Sequence, residues 1–423
     1  MNEDKAPAKR SQDDYLDMTH SILVNHLQTE RKKSKGKSRL VKITEYLTTR
    51  HFAWLYYYLI NRFGRLHPYT AYPRGMTGVY PLNAKNDHPV SICIAADWAT
   101  DTPESSAVAD SMRDLRPDYT IHLGDTYYVG APHEIGANFT WKNAPWVRGS
   151  KGSFALLGNH EMYARGIAFY KKLLPTLGLL EKGQFAGQHT GFFCLENDHW
   201  RILGLDTGYH SIGKLPLIEW IPWFAPDCHF DEVLMTWLRE DVKLNDPEDK
   251  RGLLVLTHHQ YISAFQDESE YLKPAEQLAE LIGVDRPVVW LFGHEHKFSM
   301  YEKVQVKKGI TGYGRCIGHG GMPVEVTSGE FKKDPRNHGH GKLVTVDERK
   351  RPCDSPTPLG YNGFVHLSLA GNQLQINYRD NQQLLLTETW RANKATGEIS
   401  GEINPVDNLL APQRGKSWQD AVA

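Results

Sequence analysis

Five times along this chain an apolar run that reads as a buried strand stops on a short polar block. Asp97 follows SICIAA, Gly124-Asp125-Thr126-Tyr127-Tyr128 follows YTIHL, and Gly158-Asn159-His160-Glu161 follows SFALL. Further on, His258-His259 follows GLLVLT and Gly293-His294-Glu295-His296 follows PVVWLF. Strands that repeatedly end in Asp, Asn or His deliver oxygen and nitrogen ligands to one edge of a sheet, which is where α/β folds place their chemistry. The centre implied by those side chains is a pair of metal ions.

At 423 residues the chain is long enough for a large core, as one elaborated α/β domain or several smaller ones. Its 49 basic and 50 acidic residues leave a formal charge of -1, so there is no general field for nucleic acid or an acidic membrane. The five cysteines, at 93, 194, 228, 316 and 353, are scattered, odd in number and without a CxxC pair. That usage favours a reducing compartment, and the polar N-terminus MNEDKAPAKRSQDDYLD lacks the apolar core of a signal peptide, so the expected location is the cytoplasm.

In chain order, a helix is expected over 15–30, then the basic run RKKSKGKSR at 31–39, read as a solvated connection rather than a phosphate or lipid contact. A second helical pattern covers about 40–63 and contains FAWLYYYLI at 52–60, far short of the roughly twenty apolar residues that span a bilayer. Packing on the main domain or on a partner, including self-association, is its expected role, with interfacial membrane attachment the lesser alternative. Three parts are therefore drawn: 1–89 as a helical extension and lead-in, 90–390 as the α/β domain, and 391–423 as a tail. Within the domain, strands alternate with helices at about 102–115, 161–177, 230–244 and 271–282. Phe364–Leu369, Leu374–Tyr378 and Leu384–Thr387 form a β-meander. The loop carrying Phe139, Trp141 and Trp146 either roofs a pocket or packs on the domain. The glycine-rich run GITGYGRCIGHGG at 309–321 lacks the GxxxxGK[ST] of a phosphate loop and reads as tight turns beside the site, with His319 structural or solvated.

Ligand chemistry divides the blocks between two ions. Asp97 suits the first ion, Asp125 can bridge through its two oxygens, and Asn159 offers a neutral oxygen to the second. His258 and His294 complete the second ion's shell, and His296 binds the first. One HxH is weak on its own; five ordered blocks are much stronger.

The order of these blocks resembles that of calcineurin-like metallophosphoesterases, whose signatures run D-x-H or D-x-G, G-D, G-N-H-E, a later histidine block and G-H-x-H. Here they are DWA at 97–99, GD at 124–125, GNHE at 158–161, THHQ at 257–260 and GHEH at 293–296. The resemblance covers roughly Val90 to Met300 and implies a four-layer α/β/β/α sandwich, preceded here by the helical extension. Ala99 departs from the pattern, since it offers no ligand. Purple acid phosphatases are similar in that respect and carry a GDxxY block, and by this correspondence Tyr128 would supply the missing oxygen to the first ion. The alternative is a packed Tyr128 that does not ligate. A phenolate suits Fe(III), so Fe(III) with a divalent Fe, Zn or Mn ion is favoured, with a di-Mn pair as the other option. Gln260 stands where the family often has proline, and His259 is left between a substrate contact and a supporting role.

What the resemblance implies is hydrolysis of a phosphate ester by water activated between the ions, with His160 protonating the leaving group and Glu161 holding its loop. The substrate is then a phosphate-ester small molecule or a nucleotide. A phosphomonoesterase is the leading reading, with Arg148, Arg165, His210, His259 and Arg315 as donors available for phosphate oxygens. The alternatives are a phosphodiesterase or nucleotide hydrolase, and a catalytically inactive binding or scaffold protein.

Overall fold

The apolar runs that precede the polar blocks are all strands, and they divide between two sheets. The computed structural model describes residues 58, 60–85, 87–212, 228–266, 268–324, 326, 331–352 and 358–423. The helix expected over 15–30, the basic run, most of the aromatic stretch and residues 213–227 lie outside them. Among the described residues no helix is long and apolar enough to cross a membrane.

One sheet has the order β1-β7-β8-β9-β10-β12-β11-β13, built from Val79–Pro81, Phe193–Glu196, Trp200–Gly204, Gly252–Thr257, Pro287–Phe292, Thr311–Ile317, Phe298–Gln305 and Leu343–Val346. The other has the order β17-β16-β15-β14-β2-β3-β4-β5-β6. Its strands are Glu398–Pro405, Leu384–Asn393, Gln373–Asp380, Gly363–Ala370, Val90–Ala95, Tyr119–His122, Gly152–Ala155, Gly178–Glu181 and Gln184–Phe185. β8, β9, β10 and β12 pair in parallel, as do β2, β3 and β4, so the C-terminal ends of each parallel set lie along one edge.

Burial on both faces explains why these strands read as unbroken apolar runs. In β9, Leu254 and Leu256 enter the core between the sheets, whereas Leu253 and Val255 pack outward under α4 (Glu232–Glu240) and α5 (Lys273–Ile282). In β2, Ile92 and Ile94 face inward, whereas Cys93 and Ala95 meet Val108 and Met112 of α1 (Pro103–Asp114). Helices therefore cover the outer face of each sheet, and the architecture is the four-layer α/β/β/α sandwich. α1 begins at Thr102, whose hydroxyl accepts from the Ser105 N–H, with Pro103 in the first turn where no donor is lost.

Several expectations need correcting. The sheets take in β1 and β17, which lie on either side of the 90–390 span. β17 alternates exposed and half-buried residues along EISGEINP, so its sequence carries no apolar run. The helix expected over 161–177 is broken: α3 is only Asn159–Tyr163, after which Arg165 and Gly166 adopt left-handed φ values of 64° and 69°. A π-helical turn then occupies Phe169–Leu173. The glycine-rich run is not all turns, because its first half is β12, a central strand. Gly312 and Gly314 leave the space into which Tyr261 and Ile262 pack. Phe139 and Trp146 join Trp98 and His122 in a buried aromatic group, with ring centroids 4.8 to 6.3 Å apart, while Trp141 is exposed.

Arg315 is not a phosphate donor. Its side chain lies between the sheets, fully buried, where its guanidinium pairs with Glu388 of β16 and donates to the carbonyls of Tyr301 and Ala421. The Tyr378 hydroxyl donates to the same carboxylate at 2.7 Å. Removing one partner from such a pair strands a buried charge, whereas removing both does not. Arg315→Met should lower the unfolding free energy by roughly 3–5 kcal/mol, and adding Glu388→Leu should recover most of the loss, as read from urea unfolding midpoints.

Candidate metal centre

The polar blocks leave their strands through sharp turns that ordinary residues rarely adopt. Asp97, Asp125 and His294 have left-handed φ values of 54°, 70° and 69°. Such conformations cost free energy and persist where surrounding contacts fix them. Glycines let the blocks approach one another: a Cβ at Gly158 would stand 2.1 Å from Asp125 Oδ1, and one at Gly293 would stand 2.5 Å from Asp97 Oδ2. The second half of the glycine-rich run straps the first block, with Gly321 and Met322 N–H groups donating to the Asp97 carbonyl.

Asp97, Asp125, Asn159, His258, His294 and His296 come together from both sheets. Ligand atoms of Asp97, Asp125 and His258 all lie within 4.8 Å of one another, as do those of His258, His259 and His294. On one side, Asp97 Oδ1 is 3.6 Å from His296 Nε2. On the other, Asn159 Oδ1 is 3.1 Å from both His258 Nε2 and His294 Nδ1. The amide faces that way because its Nδ2 donates to the Tyr163 hydroxyl. His258 Nδ1 donates to the Leu123 carbonyl at 3.1 Å, which leaves Nε2 for a ligand.

Asp125 sits between the halves, with Oδ2 3.2 Å from His258 Nε2. Its other oxygen accepts the His160 N–H at 2.9 Å. Asp125 thus turns Oδ2 toward His258 while Oδ1 is engaged by the His160 block. Asp97 is divided in the same way, since its Oδ2 accepts the His294 N–H at 2.8 Å.

The charges explain why cations belong here. Asp97 and Asp125 are almost completely buried, which by itself would raise their pKa values. His258 and His296 overcome burial at Asp97; at Asp125, His160 and His258 do so and hold the carboxyl well below its usual range. His258 answers in kind: burial disfavours its charged form, but Asp125 and Asp97 prevail and push it up to about 9. Imidazoles thus supply the positive charge that these carboxylates require. A donor set of two carboxylates, one amide oxygen and three imidazoles fits two ions better than it fits a set of protons.

Residues 90–298 match the model of the family described as calcineurin-like phosphoesterase. The chain belongs to the calcineurin-like metallophosphoesterase superfamily. No curated protein sequence matches it. Among solved structures it is similar to the purple acid phosphatase PPD1 of yellow lupin (Lupinus luteus), at 14% identity and a TM-score of 0.41, covering 79% of this chain and 55% of the lupin chain. A dimetal phosphatase from Danio rerio gives 12% identity and a TM-score of 0.41, with 72% of this chain and 99% of that one covered. GAP50, the anchor in the inner membrane complex of Plasmodium, gives 11% identity and a TM-score of 0.40, with 79% and 92% covered.

Within this metallophosphoesterase the tyrosine assignment shifts by one residue. The hydroxyl of Tyr127, not of Tyr128, meets the cluster: it donates to Asp97 Oδ1 at 2.8 Å and lies 3.2 Å from Asp125 Oδ2 and 2.9 Å from His296 Nε2. Tyr128 contributes its backbone, whose carbonyl lies 2.6 Å from His160 Nδ1. The reason is the turn after Asp125, where the Tyr127 N–H donates to the Ala99 carbonyl and draws that residue alongside the first block. Ala99 thus lacks a ligand of its own but anchors the residue that approaches in its place.

Other members fall outside the centre. Arg148 donates to the Thr176 and Phe139 carbonyls, Arg165 to the Asn61 carbonyl, and His210 pairs with Asp231. His259 stays close, its Nδ1 3.1 Å from the Thr207 hydroxyl and its ring 4.6 Å from that of His294. Glu161 ties two blocks together by accepting the N–H groups of Asp125 and Gly158. Thr207 lies in the Asp206–His210 loop, which follows a strand as the other blocks do, whereas Glu134 carries no signal, since a lone Glu outside a motif has no distinguishing pattern. Tyr127→Phe should weaken retention of one ion by about 10- to 100-fold, whereas Tyr128→Phe should leave both ions in place, as measured by metal content after graded chelation.

Proposed function

We propose that this metal-dependent phosphoesterase hydrolyses phosphomonoesters of small molecules or nucleotides, with Fe(III) and a divalent Fe, Zn or Mn ion as its working pair. The observation that carries the reading is the convergence of Asp97, Asp125, Asn159, His258, His294 and His296 in one buried cluster. Two ions held by these residues would lower the pKa of a water molecule at the centre and offset charge on the phosphoryl oxygens. Asp97, His296 and the Tyr127 hydroxyl would serve one ion; Asn159, His258 and His294 would serve the other, with Asp125 available to both.

The surroundings of His160 support a role for it on the leaving group. Its ring is buried, its Nδ1 is engaged by the Tyr128 carbonyl, and its Nε2 lies 3.7 Å from Asp125 Oδ2, so Nε2 is the nitrogen facing the centre. A proton held there can pass to an alkoxide as it departs. Preference for monoesters is supported by the uneven exposure of the cluster. Asp97, Asp125, His160 and His258 are closed off, whereas His294 and His296 keep partial exposure, so among the described residues the centre opens on one side. A terminal phosphoryl group enters such an opening more readily than a phosphorus flanked by two substituents. The hard phenol and carboxylate donors on the first side favour Fe(III). Among the described residues four cysteines are buried thiols outside any disulfide, which supports a reducing location, the cytoplasm.

With matched mono- and diesters, the metal-loaded protein should turn over the monoester faster; efficient diester turnover with an inert monoester would reverse the assignment. His160→Gln should lower kcat by about 100-fold with metal content unchanged, while Asp125→Asn should lose activity and metal together. Fe(III)-loaded protein should show a visible phenolate-to-iron band, and Tyr127→Phe should abolish it.

A further inference from the structure

Glu134 stands outside every sequence block, yet its carboxylate is one of the most heavily used acceptors near the centre. It is 6% exposed and follows Ala131 at the start of α2 (Pro132–Ile135). Oε1 accepts the Tyr128 N–H at 2.5 Å, and Oε2 accepts those of Val129 and Ala131 at 3.1 and 2.7 Å. An acid at the third helical position ordinarily accepts from the residue before the helix, which is the Ala131 bond. The bonds to Tyr128 and Val129 reach beyond the helix into the turn that carries the tyrosines.

That turn touches the centre at two points. The Tyr127 side chain meets Asp97, Asp125 and His296, and the Tyr128 carbonyl meets His160 Nδ1. A carbonyl has only lone pairs to offer, so the Nδ1 of His160 must carry hydrogen. Nε2 is then held toward the centre, and the ring's heading depends on where the Tyr128 peptide lies.

We infer that Glu134 is a positioning residue: by fixing the Tyr127–Ala131 turn, its carboxylate sets the tautomer and heading of His160 and the approach of the Tyr127 phenol. The inference rests on the phosphoester-hydrolase reading for its consequence in catalysis, but not for its consequence at the imidazole. When Glu134 is removed, the Tyr128 carbonyl is free to swing, and His160 loses the partner that selects Nδ1–H.

Two measurements on the full chain test this, with Glu134→Ala and Glu134→Gln compared against Thr102→Ala, which removes the hydroxyl that caps α1. The first is nitrogen-15 NMR of histidine-labelled, metal-free protein, with the His160 signals identified by their loss in His160→Gln. Wild type and Thr102→Ala should show the Nδ1–H tautomer at His160, and Glu134→Ala should lose it. The second is metal-loaded turnover of two phosphate monoesters, one releasing nitrophenolate and one releasing an alkoxide. Glu134→Ala should lower kcat on the alkyl ester by about 30-fold or more, on the nitrophenyl ester by less than about fivefold, and leave KM within about twofold. Glu134→Gln, which keeps one acceptor oxygen, should fall between and remains the test if the alanine variant does not fold. An unchanged His160 tautomer in a folded Glu134 variant, or equal slowing on both esters, overturns the proposal. If wild-type protein cleaves no phosphoester, the hydrolase reading fails, while the NMR comparison still decides whether Glu134 orients His160.

Discussion

Two carboxylates, Asp97 and Asp125, have been taken out of water and set beside each other, and much of the structure is arranged around what that requires. Buried ions of like sign repel and lack solvation, so they persist only with compensating charge close by. Here the compensation comes from imidazoles on the three other blocks and from the cations that such a donor set fits. The buried arginine of the inter-sheet core is committed to Glu388 on β16 and does not share in this task. Separation of the two buried charge systems keeps the metal ligands open to metals.

The same requirement explains why ligands lie on turns rather than on the strands themselves. Inside a strand, successive side chains alternate between the inter-sheet core and the helical layer, and neither is a place for a cation. A left-handed residue at the strand end turns the chain so that a side chain leaves both packing layers and faces the other sheet's edge. Asp97 and Asp125 do this from one sheet and His294 does it from the other. Each oxygen left over is then used by a backbone N–H of another block, that of His294 from the other sheet on Asp97 and that of His160 from the same sheet on Asp125. The blocks thereby hold one another, by hydrogen bonds both along one sheet edge and across to the other.

Legibility in the sequence followed the physics of each element. The parallel strands were readable because burial on both faces leaves an uninterrupted apolar run, and the site was readable because ligands cluster where such runs stop. β12 was hidden because the glycines that accommodate Tyr261 and Ile262 resemble turn residues until their neighbours are known. β17 was hidden because neither face is fully buried. Arg315 looked available because a sequence does not show that Glu388, 73 residues away, will meet it between the sheets. Tyr128 looked like the ligand because spacing along a motif counts residues, whereas which of two adjacent tyrosines turns inward depends on backbone bonds to Ala99 and Glu134.

The N-terminal part of the described chain is tied into the same machinery from behind. The Tyr58 ring lies 5.7 Å from that of Tyr163, and Tyr163 is the residue whose hydroxyl accepts from Asn159 Nδ2. A few residues on, Arg165 donates to the Asn61 carbonyl and its own carbonyl accepts the His67 N–H, while the His67 ring stacks on Tyr170 at 4.5 Å. These contacts fall on α3 and the turn that ends it, so they brace the short helix that presents both the Asn159 amide and the His160 imidazole to the cluster. Five residues make too little helix to hold its own orientation, because nucleation costs more than so few hydrogen bonds return. The packing of the 58–67 segment supplies what α3 cannot, which makes the end of the N-terminal extension part of the scaffold of the metal centre rather than an appendage to it.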